Sequence, residues 1–148
     1  MARWHKAILA AALGVAVASG GGYALAQADI IKARKAGFDG NKNAMGAIKK
    51  VIDSGGNVAE VVAPAESIAA WAAKIPAHFP QGSDKGDTKA KAEIWTNWAG
   101  FQKAAKDNEE AALKLVAAAK SGDAAAVKAG FGAVGGTCGA CHKQFRND

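Results

Sequence analysis

The sequence predicts an all-α protein, an antiparallel up-down-up-down four-helix bundle. Three observations carry that prediction. Apolar residues recur every three or four positions over long stretches, no run alternates apolar and polar residues as a strand would, and clusters of Gly, Ser, Asn and Asp part the chain into helical segments. The 148 residues suit one domain, and with 50% of them hydrophobic an ordinary core can be buried. Abundant Ala and Gly beside 3 Pro favour closely packed helices over sheet.

The start of the chain is read as a leader. Met1 to Lys6 is basic, and Ala7 to Ala18 is apolar but too short to span a bilayer. Ala24-Leu25-Ala26 offers a small-x-small cleavage site, which makes residues 1–26 a cleaved signal peptide and residues 27–148 the mature domain. Ala26-Gln27-Ala28 is an alternative site that would start the chain at Asp29, and an uncleaved anchor is the competing reading. The formal net charge of +6 falls when Arg3 and Lys6 leave, and the lysines are scattered, so nucleic-acid binding has no support.

The first helical segment spans about Asp29 to Asp53. Ile31, Phe38, Met45 and Ile52 recur at intervals of seven, with Arg34, Asn41 and Ile48 between them. Ser54-Gly55-Gly56-Asn57 stops it. The second, about Val58 to Ile75, presents Val58, Val61, Ala65, Ile68, Ala72 and Ile75 on one stripe, and Pro64 either kinks it or marks a fresh start. Ile75 to Asp87, with Pro76, Pro80, Gly82 and Gly86, reads as the one long connection.

The third segment, about Thr88 to Lys120, carries Ile94, Trp98, Phe101, Ala105, Asn108, Ala112 and Leu115. Gly122 then suits a left-handed stop and Asp123 an N-cap. The fourth runs from Ala124 to about Arg146. Its stripe is Ala124, Val127, Phe131, Val134, Cys138, Cys141 and Phe145, spaced three then four. Gly130, Gly132, Gly135 and Gly136 weaken this helix by roughly 1 kcal/mol each relative to Ala. Close approach of a flat ring or a neighbouring helix would account for them, and a glycine-rich bias is the plainer alternative.

Cys138-Gly139-Ala140-Cys141-His142 has the spacing by which haem is held covalently. On a helix, Cys138 and Cys141 share a face with His142, so two thiols reach the haem vinyl groups and an imidazole reaches the iron. Zinc would need two further ligands, and His5 and His78 lie far off in sequence. A thioredoxin-like pair would need a strand before it and a helix start beneath it. Haem c held by Cys138 and Cys141, with His142 on the iron, is the expectation, and it agrees with export.

With Glu93-Ile94-Trp95-Thr96-Asn97-Trp98, the helix order, the long second connection and the ending Cys138 to Arg146, the mature chain resembles cytochrome c′. The resemblance implies a periplasmic protein, often a homodimer through its first two helices. It makes His142 the proximal iron ligand and sets Arg34 near a haem propionate. It places Phe38, one turn after Arg34, over the distal iron face, and makes Arg146 similar to the family's proximal-pocket arginine. Low-spin relatives are similar but carry Met where Phe38 stands, and this chain departs from them.

Phe has no lone pair to give, so a Phe38 covering the iron leaves it five-coordinate and high-spin, open to nitric oxide and carbon monoxide. Met45 lies two turns beyond, roughly 10 Å along the axis, and reads as core packing. His78 reads as a surface or loop-packing residue. An arginine on a buried stripe needs a partner: a propionate, or a carboxylate such as Asp29 or Glu66. Arg146 either bonds a proximal ligand or ends the helix favourably. Trp95 and Trp98 cannot both follow one seam. The expected function is a gas-binding haem protein capable of electron transfer to an unidentified periplasmic redox partner. A low-spin His/Met electron carrier is the alternative. A peroxidase is disfavoured because it needs a distal acid–base group, so no enzyme is expected.

Overall fold

The computed structural model describes the backbone of residues 20–148 and the side chains of 27–148. The basic start of the proposed leader and its apolar run lie outside the described residues. Both candidate cleavage junctions fall within the first helix, α1 (Gly20–Ser54). Among the described residues no helix is long and apolar enough to cross a membrane.

Three further long elements complete a bundle: α2 (Val62–Ala72), α4 (Trp98–Ser121) and α5 (Ala124–Phe145), with a one-turn helix α3 (Glu93–Thr96) before α4. In the packing, α1 lies on α2, α2 on α4, α4 on α5, and α5 on α1. Each helix of the ring meets two neighbours, as the predicted bundle requires.

Turn chemistry sets the boundaries. Gly55, at φ +63°, ends α1, while the Gly55 and Gly56 N–H groups donate to the Ile52 and Val51 carbonyls. That pair of bonds is the Schellman arrangement. Asn57 caps a 3-10 turn (Val58–Val61) by accepting from the Ala59 N–H at 3.0 Å. α2 then starts afresh, and Pro64 stands in its first turn, where a missing N–H costs nothing. The second segment is therefore a 3-10 turn, a helix and another 3-10 turn (Ile75–His78).

Gly122 adopts φ +77° and Asp123 accepts from the Ala126 N–H at 2.9 Å, as the sequence anticipated. The third segment needs correction, because α4 opens at Trp98 and not near Thr88. Asn97 breaks the helix and caps α4 through the Gly100 N–H. The residues before it pair with the end of the chain. Lys91 N–H donates to the Phe145 carbonyl at 3.0 Å, Asn147 N–H to the Lys89 carbonyl at 2.8 Å, and Ala90 bridges Arg146. Those bonds satisfy backbone groups that α5 leaves open at its end.

The apolar interior is divided. One cluster gathers Ile48, Val61, Ile68, Leu115, Val127 and Val134 at the end of the bundle holding the short turns. The other gathers Ala72, Ile75, Phe79, Ile94, Phe101 and Phe145 near the long connection. Gly130 alone of the α5 glycines named above meets a neighbouring helix. A methyl there would come within 3.1 Å of Leu115, whereas Gly132, Gly135 and Gly136 face open space.

Candidate haem-attachment site

From Val127 onward the stripe of α5 faces inward, with Val127, Val134 and Phe145 buried, while Ala124 at the helix start is exposed. The two cysteines are half-buried at the join of the interior clusters: Cys138 packs against the first and Cys141 against the second. Burial raises the thiol pKa of Cys138, while a hydrogen bond from Asn108 opposes the rise. Burial, with Cys138 adding to it, pushes Cys141 up to about 11. Both are neutral thiols at neutral pH.

His142 is exposed at the surface. Even so, the protein around it and then the charge of Arg146 hold its pKa below the ordinary imidazole value. A neutral ring keeps the lone pair that a metal needs. Arg146, also exposed, follows the end of α5 and donates its backbone N–H to the His142 carbonyl at 3.0 Å.

Arg34 is 3% exposed, and every partner it has among the described residues is neutral. Its guanidinium donates to Ser83 Oγ at 3.1 Å, the Ser83 carbonyl at 2.8 Å and Thr88 Oγ1 at 2.5 Å, and lies 4.5 Å from the Phe79 ring centroid. Neither proposed carboxylate serves it: Glu66 pairs with Lys120 at 2.8 Å, and Asp29 forms no ion pair with it. Desolvation lowers its pKa. A buried cation met only by neutral acceptors still lacks an anion, which a haem carboxylate would supply. The donor set therefore fits the group: two inward thiols, a neutral imidazole and an unneutralised buried guanidinium.

Phe38 is half-buried against the second cluster, to which Cys141 also packs. It meets Trp71 edge-on at 5.6 Å between centroids and Phe79 at 6.4 Å. Met45 packs against the first cluster, as a core residue. Trp95 and Trp98 both pack on the second cluster, and Trp95 Nε1 donates to the Phe79 and Pro80 carbonyls.

Five side chains around the site were given no role there by sequence reasoning. Ser83 and Thr88 hold Arg34, Trp71 and His78 stack at 4.7 Å beside Phe38, and Asn108 donates to Thr137 Oγ1 at 2.8 Å and to Cys138 Sγ at 3.5 Å. Only Asn108 announced itself, since an amide within an apolar stripe demands a partner.

Fold and site together define a c-type cytochrome of the four-helix-bundle class, with its attachment motif on the last helix. The family model described as Cytochrome C' matches residues 29–146, and the chain belongs to that family, whose members carry covalently attached haem c. A cytochrome c′ of Rhodospirillum rubrum is 46% identical over 85 residues, an alignment that spans 57% of this chain and 58% of that protein. A solved cytochrome c′ with ligand-controlled dimer dissociation superposes at TM-score 0.78 with 36% identity, over 82% of this chain and 97% of that one. The nitric oxide complex of an L16A mutant from Alcaligenes xylosoxidans superposes at TM-score 0.75 with 29% identity, over 82% of this chain and 96% of that one.

Proposed function

We propose that this protein is a periplasmic, five-coordinate high-spin haem protein that binds nitric oxide and carbon monoxide and can pass single electrons. The carrying observation is Phe38: an aromatic ring with no donor atom, wedged by two ring contacts into the cluster that also takes Cys141. When bound, haem supplies an iron that takes a diatomic ligand and cycles between two oxidation states.

The chain's own residues supply the rest. Cys138 and Cys141 anchor the ring through their sulfurs, and His142 offers its neutral nitrogen to the iron. Arg34 neutralises a propionate. Phe38 covers the opposite side, where it offers no lone pair and gives water no hydrogen bond, so small uncharged ligands are favoured. Arg146, beside His142, sets a positive charge on the proximal side. A side chain without acid–base capacity at the distal position supports binding over peroxide catalysis. The nitric oxide complex of a family member supports the choice of ligand.

Residues 1–26 are the export leader in this reading. Association into a homodimer through α1 and α2 draws support from exposed small residues along them, Ala33, Ala36, Gly40 and Ala47 on α1 and Ala63 and Ala70 on α2. The dimer of a structural neighbour supports it too.

A ferrous optical spectrum tests the assignment. A five-coordinate high-spin spectrum that shifts on adding nitric oxide is expected. A low-spin spectrum with a methionine-to-iron band would instead establish the His/Met electron carrier, with Met45 as ligand.

A further inference from the structure

Trp71 is held differently from its neighbours. Trp95 is pinned by two hydrogen bonds from its indole N–H. Among the described residues the buried Trp71 Nε1 has no partner, and neither has Nδ1 of His78, the ring stacked on it at 4.7 Å. Shape alone therefore fixes the Trp71 indole. Its six-membered ring occupies the space that a side chain at Gly37 would fill, and a methyl there would overlap its carbons. Gly37 is the residue before Phe38, so the indole is seated on α1 directly beside the Phe38 ring. It meets that ring edge-on, at an interplanar angle of 83°. Phe79 bounds Phe38 as well, at 6.4 Å.

A ring covering a small binding space has to swing aside before a ligand passes. The rate of that swing depends on what stands at the ring's edge, because packed aromatic neighbours leave no free volume to turn into. We propose that Trp71, seated on Gly37, is a positioning residue that fixes Phe38 and so sets the rate at which diatomic ligands reach the iron. The proposal rests on Phe38 covering the iron and deepens that reading by naming what controls the cover.

The experiment measures association of carbon monoxide and nitric oxide with the ferrous haem-bearing protein in Phe38→Ala, Trp71→Leu, their double variant and Gly37→Ala. Phe38→Ala is expected to accelerate association by about tenfold or more, and Trp71→Leu by roughly three- to tenfold. In the Phe38→Ala background Trp71→Leu should add nothing, since its effect passes through the missing ring. Gly37→Ala, which must displace the indole, should shift the rate in the same direction; if it does not fold, Trp71→Leu still decides. Ring flipping of Phe38, followed by NMR in the carbon monoxide adduct, should quicken in Trp71→Leu, a signature that general destabilisation does not produce. An unchanged rate in Trp71→Leu beside an accelerated Phe38→Ala overturns the brace and leaves the distal assignment standing. Equal acceleration by Trp71→Leu in both backgrounds overturns it too. No effect of Phe38→Ala removes the distal assignment, and the brace with it.

Discussion

Arg34 shows how one side chain can betray a missing partner. Its guanidinium makes three hydrogen bonds, all to neutral oxygens, in a site that strips away water. Arg34→Leu would take the guanidinium donors away from Ser83 and Thr88, leaving Thr88 Oγ1 only the Ala90 N–H, and free the connection that they belong to. A loss of about 2–3 kcal/mol is expected from charge-assisted bonds of this kind, read from urea unfolding. Cys141 gives a prediction with a definite sign. Its folded pKa of about 11 lies above the ordinary value of 9.0, so between those limits the unfolded chain releases a proton that the folded chain retains. The haem-free protein should therefore lose stability as pH climbs from about 9 toward 11, with this thiol adding no pH dependence below that window. In the haem-bearing protein that sulfur is a thioether and the loss should be absent. Denaturant midpoints of both forms across the window check it.

At the scale of elements, the α4–α5 hairpin turns on two adjacent residues. Gly122→Ala forces a side chain into the left-handed region at a cost of about 1–2 kcal/mol, and Asp123→Ala removes a cap worth about 1 kcal/mol. Calorimetric melting of the two variants should show Gly122→Ala as the more harmful. This hairpin was legible in the sequence because every signal in it is local: a glycine, an N-cap and a stripe spaced three then four. The same holds for Val61, Ala65, Ile68, Ala72 and Ile75, all buried as their spacing required.

What the pattern could not convey is which distant residues meet. Arg34 bonds to residues 49 and 54 positions away, and no periodicity encodes that pairing. The helix break at Asn97 was equally hidden, since Ile94, Phe101 and Ala105 keep the helical spacing straight through it. The segment before Asn97 is shaped by the tail after α5, and the Trp71 seat on Gly37 likewise exists only once α1 and α2 are packed. The motif thus disclosed the cofactor, and packing disclosed its surroundings.

In the whole molecule, two apolar clusters share the four long helices, and the attachment cysteines stand one on each. A haem bound through both would tie the clusters into a single cooperative unit. Native-state hydrogen exchange should therefore separate two sets of protected amides in the haem-free protein, with different opening free energies, and merge them in the haem-bearing one. Equal opening free energies in the haem-free form would show that the helices alone already couple the two ends.

The stretch from Ser83 to Lys91 makes a second tie across the molecule. Thr88 Oγ1 accepts from Arg34 and also from the Ala90 N–H, and Ala90 bridges the backbone of Arg146, whose own N–H bonds to His142. One short length of backbone thus serves as a ruler between the buried guanidinium and the end of the histidine helix. Its gauge is fixed in whole residues. A single residue inserted between Thr88 and Ala90 would mismatch the two sides of the site together, although it would lie in a loop and touch neither the haem motif nor Arg34.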